Sequence, residues 1–387
     1  MTKYDFTTLP NRLTHHTYKW KETESDPEII PAWIADMDFN VIPEVREAVI
    51  GYADQMVYGY TYASDSLYQS IMDWEKEEHG YAFDKEAIVF IEGVVPAIST
   101  AIQAFTKEGD AVLINTPVYP PFARSIKLNR RKLIENSLVE KDGLFQIDFD
   151  QLEKDLVEQD VKLYALCNPH NPGGRVWDRD VLERIGRLCQ KHGVLLVSDE
   201  IHQDLALFGN RHTSFNTVDP SFKDFSLILS SATKTFNIAG TKNSYVVIEN
   251  ARLRTAFKQQ QLANNQHEIS GLGYIATEAA YRYGKPWLTE LKQVLEKHID
   301  YVVKELHEKT QIRVMKPQGT YLLWLDFSDY PYTDDELHAK IHDQAKLILN
   351  RGTDFGKEGT LHARLNVAAP FTLIEEITKR LVETFRK

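Results

Sequence analysis

Residues 227–240 read Leu227-Ile228-Leu229-Ser230-Ser231-Ala232-Thr233-Lys234-Thr235-Phe236-Asn237-Ile238-Ala239-Gly240. The leading aliphatic run predicts a buried strand. A single lysine follows, set among small hydroxyl residues and a glycine. The hydroxyls of Ser231 and Thr233, just before that lysine, are placed to hold a phosphate. A lysine at the end of a strand, inside the fold, is costly to bury unless it is neutralised, paired or used covalently. A loop lysine can also simply point into water. The rest of the chain decides between the two.

Upstream of this stretch, short apolar strands alternate with helices. Ile88–Ile91 is followed by a helix over Pro96–Phe105, and Ala111–Ile114 by a helix near Pro121–Lys127. Val161–Leu166 leads to a helix over Asp178–His192, with Asp178 as N-cap and Gly193 as terminator. Val194–Val197, Leu227–Leu229 and Tyr245–Ile248 complete the series. This alternation predicts an α/β domain with a mostly parallel sheet covered by helices on both faces. In such sheets ligands bind beyond the carboxyl ends of the strands. Helices are also expected over Pro43–Met56 and Asp65–His79, flanking the aromatic turn Tyr58-Gly59-Tyr60-Thr61-Tyr62.

Beyond Lys285 the pattern changes. A long helix starts at Pro286, and Tyr321–Leu325 and Leu361–Val367 read as strands. Asp334–Ala345 reads as a helix, and Thr372 with Glu375 as a capping box for a final helix. The expected organisation is a large domain over 46–284 and a smaller α+β domain over 285–387, joined by an N-terminal segment, 1–45. Within that segment Pro31-Ala32-Trp33-Ile34-Ala35-Asp36-Met37-Asp38-Phe39 is unusually apolar for a loop; packing on the core and lining a pocket are both open.

The 387 residues are 43% hydrophobic and 26% charged, with a formal net charge of −11. Nucleic acid and anionic membranes call for a basic surface that this acidic chain does not supply, so neither is expected as a partner. No apolar run approaches a membrane span, and the first residues show no signal-peptide core, so a cytoplasmic setting is expected. Cys167 and Cys189 are the only cysteines. Their spacing suits neither a disulfide scaffold nor zinc, and no metal is expected.

Four strand ends concentrate polar chemistry. Glu92-Gly93-Val94-Val95-Pro96 opens a helix, so the Val94 and Val95 amides can meet an anion approached closely at Gly93. Asn168-Pro169-His170-Asn171-Pro172-Gly173-Gly174 presents an amide at Asn171 that can donate to a phenolate oxygen. Val197-Ser198-Asp199-Glu200-Ile201-His202 puts an acid directly after a buried strand, where a protonated ring nitrogen would satisfy it. The lysine stretch is the fourth. Each admits a plain structural reading: a βα turn, a Pro/Gly turn, an N-cap aspartate, a solvated lysine. Together they supply a phosphate cradle, a carboxylate for a pyridinium, an amide for a phenolic oxygen and an amine able to form a Schiff base, which are the requirements of pyridoxal 5′-phosphate. Tyr119, in Thr116-Pro117-Val118-Tyr119-Pro120-Pro121, can stack on its ring.

In combination, Asn171-Pro172-Gly173-Gly174, Asp199 and Ser231-Ala232-Thr233-Lys234 resemble fold-type I pyridoxal-phosphate enzymes, the aspartate aminotransferase superfamily. Trp33–Phe39, Tyr58-Gly59-Tyr60, Asn168–Trp177 and Asp199-Glu200-Ile201-His202 resemble the MalY/PatB group of cystathionine β-lyases. The resemblance covers nearly the whole chain and implies a seven-stranded sheet. It implies that Lys234 holds the cofactor and moves the substrate proton, and that Asp199 pairs with the pyridine nitrogen. It assigns Asn171, and His202 beside it, to the phenolic oxygen. The phosphate falls to Gly93, Val94, Val95, Ser231, Thr233 and Lys242, with Lys242 standing where many relatives carry Arg. Tyr60 joins the catalytic set by reaching the phosphate of a neighbouring subunit, which implies a homodimer. Substrate contacts are implied for Arg364, as clamp of the α-carboxylate, and for Asn171, Trp33, Asp36 and Tyr119. The implied reaction is α,β-elimination from L-cystathionine or related cysteine conjugates, giving a thiol, pyruvate and ammonia. An aminotransferase uses the same lysine, aspartate and arginine, and no residue separates the two from first principles. A regulatory protein holding pyridoxal phosphate and acting through protein contacts is a third possibility.

Overall fold

The computed structural model of the chain describes residues 3–387. Its main sheet has seven strands: β1 Ile88–Ile91, β2 Ala111–Thr116, β3 Lys132–Ser137, β4 Val161–Cys167, β5 Leu195–Asp199, β6 Ser226–Ser230 and β7 Ser244–Val247. They lie in the order β1-β7-β6-β5-β4-β2-β3. All pairings are parallel except those of β7, which runs antiparallel to both β1 and β6.

Successive strand residues point to opposite faces, so each aliphatic run feeds two cores. Val89, Ile91, Val112, Ile114, Leu227 and Leu229 join one, under the helices Val94–Phe105 and Ala251–Ala263. Ile88, Phe90, Leu113 and Ile228 join the other, which runs on into the C-terminal part of the chain. A strand buried on both faces has no polar alternation, which is why these runs stand out in the sequence. β3 is the exception. It lies at the sheet edge, where Lys132 and Glu135 are exposed while Ile134 and Asn136 turn inward, and charged residues protect such an edge from further pairing.

The helix Arg179–His192 ends at Gly193 in the left-handed conformation, φ 68°. Asp178 occupies the N-cap position but makes no capping bond, because its carboxylate accepts from Arg175 Nη2 at 2.5 Å.

The C-terminal region contains an antiparallel sheet of β8 Arg313–Met315, β9 Leu322–Asp326, β10 Asn350–Arg351 and β11 His362–Asn366, in the order β8-β9-β11-β10. The long helix Lys285–Lys309 buries Trp287, Leu291, Leu295, Ile299, Val302 and Leu306. Each such side chain is worth about 1.5–3 kcal/mol of burial. The expected helix from Asp334 is α-helical to Ala339 and continues as a π turn over Lys340–Gln344. Thr372 and Glu375 form no capping box: the last helix, Phe371–Thr384, starts directly after Pro370, which has no side-chain acceptor. The capping box is at Thr333 and Glu336, where both reciprocal bonds are made. Near the N-terminus, Ile30–Pro31 pairs in parallel with Leu347–Ile348, tying that segment to the C-terminal region.

Candidate active site

A cavity of about 240 Å3 lies where the carboxyl ends of β4, β5 and β6 meet the start of the helix Val94–Phe105. Its wall includes Gly93, Val94, Val95, Tyr119, Asn171, Asp199, His202, Thr233, Lys234 and Lys242, together with Ala35, Cys167, Ile201 and Ser244.

Each polar group arrives by a definite route. Asp199 is the last residue of β5, and β5's pairing with β4 and β6 fixes its position. One carboxylate oxygen accepts from the Ile201 amide at 3.1 Å. Burial pushes its pKa up to about 7, against that hydrogen bond and the distant charge of Lys234. Among the described residues no cationic side chain pairs with it. Lys234 lies in the short helix Ala232–Thr235 after β6. Its Nζ donates to Ala35 O at 2.7 Å. Burial lowers its pKa to about 8, with Asp36 pulling the other way.

The Asn171–Pro172 bond is one of three cis X–Pro bonds among the described residues, the others being Thr116–Pro117 and Asn168–Pro169. Asn171 Oδ1 accepts from Arg364 Nη1 at 3.0 Å, which leaves the Nδ2 donor for the cavity. Tyr119 is held by its own amide, which donates to Asn171 O at 3.1 Å. His202 is buried, its Nδ1 has no partner, and burial lowers its pKa to about 3, so the ring is neutral. Gly93 makes no side-chain cap, so the first-turn amides of the helix Val94–Phe105 are open to the cavity. Lys242, in the left-handed conformation, and Thr233 complete that end of the wall.

Five expected site residues stand elsewhere. Ser231 does not reach the wall. Its Oγ lies 2.7 Å from Asn243 O and accepts from the Thr233 amide at 3.1 Å, so it shapes the lysine turn. Arg364 is buried just behind the wall, with Nη2 donating to Trp33 O at 2.9 Å and to Asn350 Oδ1 at 2.6 Å, and with Nε unpartnered. Trp33 contributes that carbonyl, while its ring turns to Tyr18 and its Nε1 to Lys19 O. The Asp36 carboxylate is taken by Arg12, at 2.7 Å, with Lys19 at 3.6 Å. Tyr60 is 96% exposed, in a surface cleft with Tyr52, Tyr58 and Leu272.

Sequence reasoning missed three groups: the Ala35 carbonyl, the Tyr321 hydroxyl that shares it at 3.0 Å, and Asn350. Only Ala35 carried a signal, as part of the apolar stretch 31–39.

These residues fit pyridoxal phosphate. A buried acid lacking a cation, a half-buried amine of lowered pKa and an amide donor share one cavity with an open helix start and a second lysine. His202, whose Nδ1 has no partner, lines the same cavity. An unpaired acid and an amine of lowered pKa in one cavity are not required to stabilise the fold.

Fold and cavity together define an aminotransferase-type α/β protein. Residues 34–381 match the family described as Aminotransferase class I and II, and the chain belongs to it. The chain is 38% identical to "Cystathionine beta-lyase PatB" of Bacillus subtilis (strain 168), across 97% of this chain and 98% of that protein. It is 30% identical to "Protein MalY" of Escherichia coli (strain K12), across 99% of each. Among solved structures, cystalysin from Treponema denticola, which contains a pyridoxal 5′-phosphate cofactor, superposes with a TM-score of 0.95 at 36% identity, covering 98% of each chain.

Proposed function

We propose that the protein is a pyridoxal-phosphate-dependent carbon–sulfur β-lyase that converts L-cystathionine and water to homocysteine, pyruvate and ammonia. The observation that carries this reading is the placement of Lys234 and Asp199 on the wall of one cavity, in a chain similar along nearly its full length to proteins named as cystathionine β-lyases.

Bound in the cavity, pyridoxal phosphate supplies an electron-accepting ring that takes up the electron pair released when the substrate Cα–H bond breaks. The protein does the rest. Val94 and Val95 amides, Thr233 and Lys242 hold the phosphate. Asp199 receives the ring N–H, which repays the cost of its burial. Asn171 Nδ2 donates to the phenolic oxygen, and Tyr119 covers the ring. Lys234 would hold the cofactor, and its neutral Nζ would accept the Cα proton as general base. The same Nζ then holds a proton for the departing thiolate. Arg364 would offer its unpartnered Nε to the substrate α-carboxylate, orienting the bond to be broken. Trp33 and Asp36 act from behind this clamp, one through its carbonyl and the other through the charge it places near Lys234.

The exposed cluster Tyr58, Tyr60, Tyr62, Met56 and Val57 supports a homodimer in which Tyr60 reaches the phosphate of the adjoining subunit. The N-terminal segment, 1–45, is read as part of a unit with residues 285–387, apart from the cofactor-holding 46–284. Two buried free cysteines suit a reducing, cytoplasmic setting.

The test is purified protein with cystathionine and no 2-oxo acid. Release of free thiol and pyruvate is expected. No thiol, together with amino transfer once a 2-oxo acid is added, assigns the protein to the aminotransferases instead.

A further inference from the structure

Behind the lysine turn, away from the cavity, sits a second acid. Asp204 lies in the turn Gln203–Leu205 and is buried. Its Oδ2 accepts from Thr235 Oγ1 at 2.6 Å. Its Oδ1 accepts from His79 Nε2 at 2.7 Å and Trp74 Nε1 at 3.0 Å. Neither Asp204 nor Thr235 lines the cavity. Thr235 directly follows Lys234, and Asp204 lies on the same turn as His202, shortly after Asp199.

A fully buried carboxylate is an expensive way to fill space; an apolar side chain of similar size costs less. Burial works against its ionisation, but the hydrogen bond and charge of His79, with Thr235 and Trp74, hold it below the usual carboxylate range. What the ionised group provides is direction. It takes donors from two separate elements, His79 and Trp74 on the helix Asp65–His79 and Thr235 on the lysine turn after β6, while its own chain leads back to the end of β5. The two strand ends that bear Asp199 and Lys234 are thereby tied together by a short bond at their rear.

We propose that Asp204, acting through Thr235 and anchored by His79, is a positioning residue that sets the direction of Lys234 relative to Asp199. This rests on the reading of Lys234 as the reacting amine. A side chain so fixed moves a proton between atoms whose separation is set in advance, and an error of about 1 Å in such a placement costs on the order of 10²-fold in rate.

The experiment compares Thr235→Val, which removes the hydroxyl, with Thr235→Ser, which keeps it, both loaded with pyridoxal phosphate. Three quantities are read: borohydride-trapped adduct at residue 234, visible circular dichroism per bound cofactor, and kcat and KM for cystathionine. Thr235→Val is expected to trap the adduct but to lose about 10- to 100-fold in kcat, with KM within about threefold and a smaller visible dichroic band. Thr235→Ser is expected to restore both. Wild-type kcat and dichroism in Thr235→Val, or a loss that Ser does not restore, overturns the proposal. Should Thr235→Val not fold, Asp204→Asn is read the same way, and wild-type values there also overturn it. Failure of the wild-type protein to trap any adduct defeats the functional reading itself and is distinguishable from these outcomes.

Discussion

Lys234 Nζ donates to the Ala35 carbonyl at 2.7 Å, joining residues 199 positions apart in sequence. The acceptor is neutral, and the Tyr321 hydroxyl shares it. The half-buried amine has a partner that satisfies one proton without stabilising a full positive charge. This is the physical reason that burial outweighs Asp36 and its pKa falls to about 8.

Capture of pyridoxal phosphate needs the neutral amine. With a pKa of about 8, the neutral fraction is about one tenth at pH 7 and falls tenfold per further pH unit. The rate of adduct formation by cofactor-free protein is expected to rise with pH up to about 8 and then level, as followed by visible absorbance. Lys234→Ala removes the adduct altogether, and β-elimination is expected to drop by at least about 10²- to 10⁴-fold. A Lys234→Ala protein that still shows a reducible cofactor band places the covalent link elsewhere.

Asp199 makes a different pH prediction. Its folded-state pKa is raised to about 7 from the usual 3.8. Between these values the folded protein holds a proton that the unfolded chain has released. Cofactor-free protein is therefore most favoured by this group below about pH 4, and loses up to about 1.4 kcal/mol per pH unit as pH rises towards 7. Asp199→Asn cannot titrate, so the stability of wild type relative to Asp199→Asn is expected to fall from pH 4 to 7 and then stay flat. Urea unfolding at a series of pH values measures it. A difference that does not vary with pH contradicts the unpaired burial of this acid.

The sheet was legible because burial on both faces leaves runs such as Ala111–Ile114 and Leu227–Leu229 with no polar residue. β3 was not legible, since at the edge Lys132-Leu133-Ile134-Glu135 mixes charge with apolar residues. The helix Gly271–Tyr283 was hidden by Gly271 and Gly273, whose missing side chains admit Tyr52 and Asn243 to close packing. The same distinction governs the site. Lys234, Asp199 and Asn171 were visible because each is a polar residue within a few positions of the end of an apolar run. The carbonyls of Ala35 and Trp33 act through the main chain, which no residue type reports. Asp36 drew attention as an acid in an apolar stretch, but Arg12 and Lys19, too distant for any local pattern, decide where it points. Thr372 and Glu375 have capping-box spacing, yet Pro370 starts the helix two residues too early for them.

Arg364 offers a test of the clamp. Its Nη atoms are held by Asn171, Asn350 and Trp33, while Nε has no partner. Lysine keeps the charge and loses the planar fork. Arg364→Lys is expected to lower kcat/KM for cystathionine by about 10- to 100-fold, the worth of a hydrogen bond to a charged group, mainly through KM. Arg364→Ala strands the Asn171 and Asn350 acceptors and is expected to cost about 1–3 kcal/mol of stability as well. Steady-state kinetics with thermal unfolding separates the two effects; unchanged KM in Arg364→Lys removes this residue from substrate binding.

Tyr60 is 96% exposed, in a surface cleft, and does not line the cavity of Lys234 and Asp199. An exposed tyrosine on a turn rich in Tyr and Val has two fates: it is solvated, or a second copy covers it. In the second case its hydroxyl donates to a phosphate dianion, worth about 1.5–3 kcal/mol. Tyr60→Phe is then expected to weaken pyridoxal-phosphate binding by about 10- to 100-fold, without lowering the thermal midpoint of cofactor-free protein. Sedimentation should show a dimer for both proteins, because the ring and its apolar neighbours Met56 and Val57 are retained. A monomer, or a dimer whose cofactor affinity ignores the hydroxyl, excludes Tyr60 from the shared site.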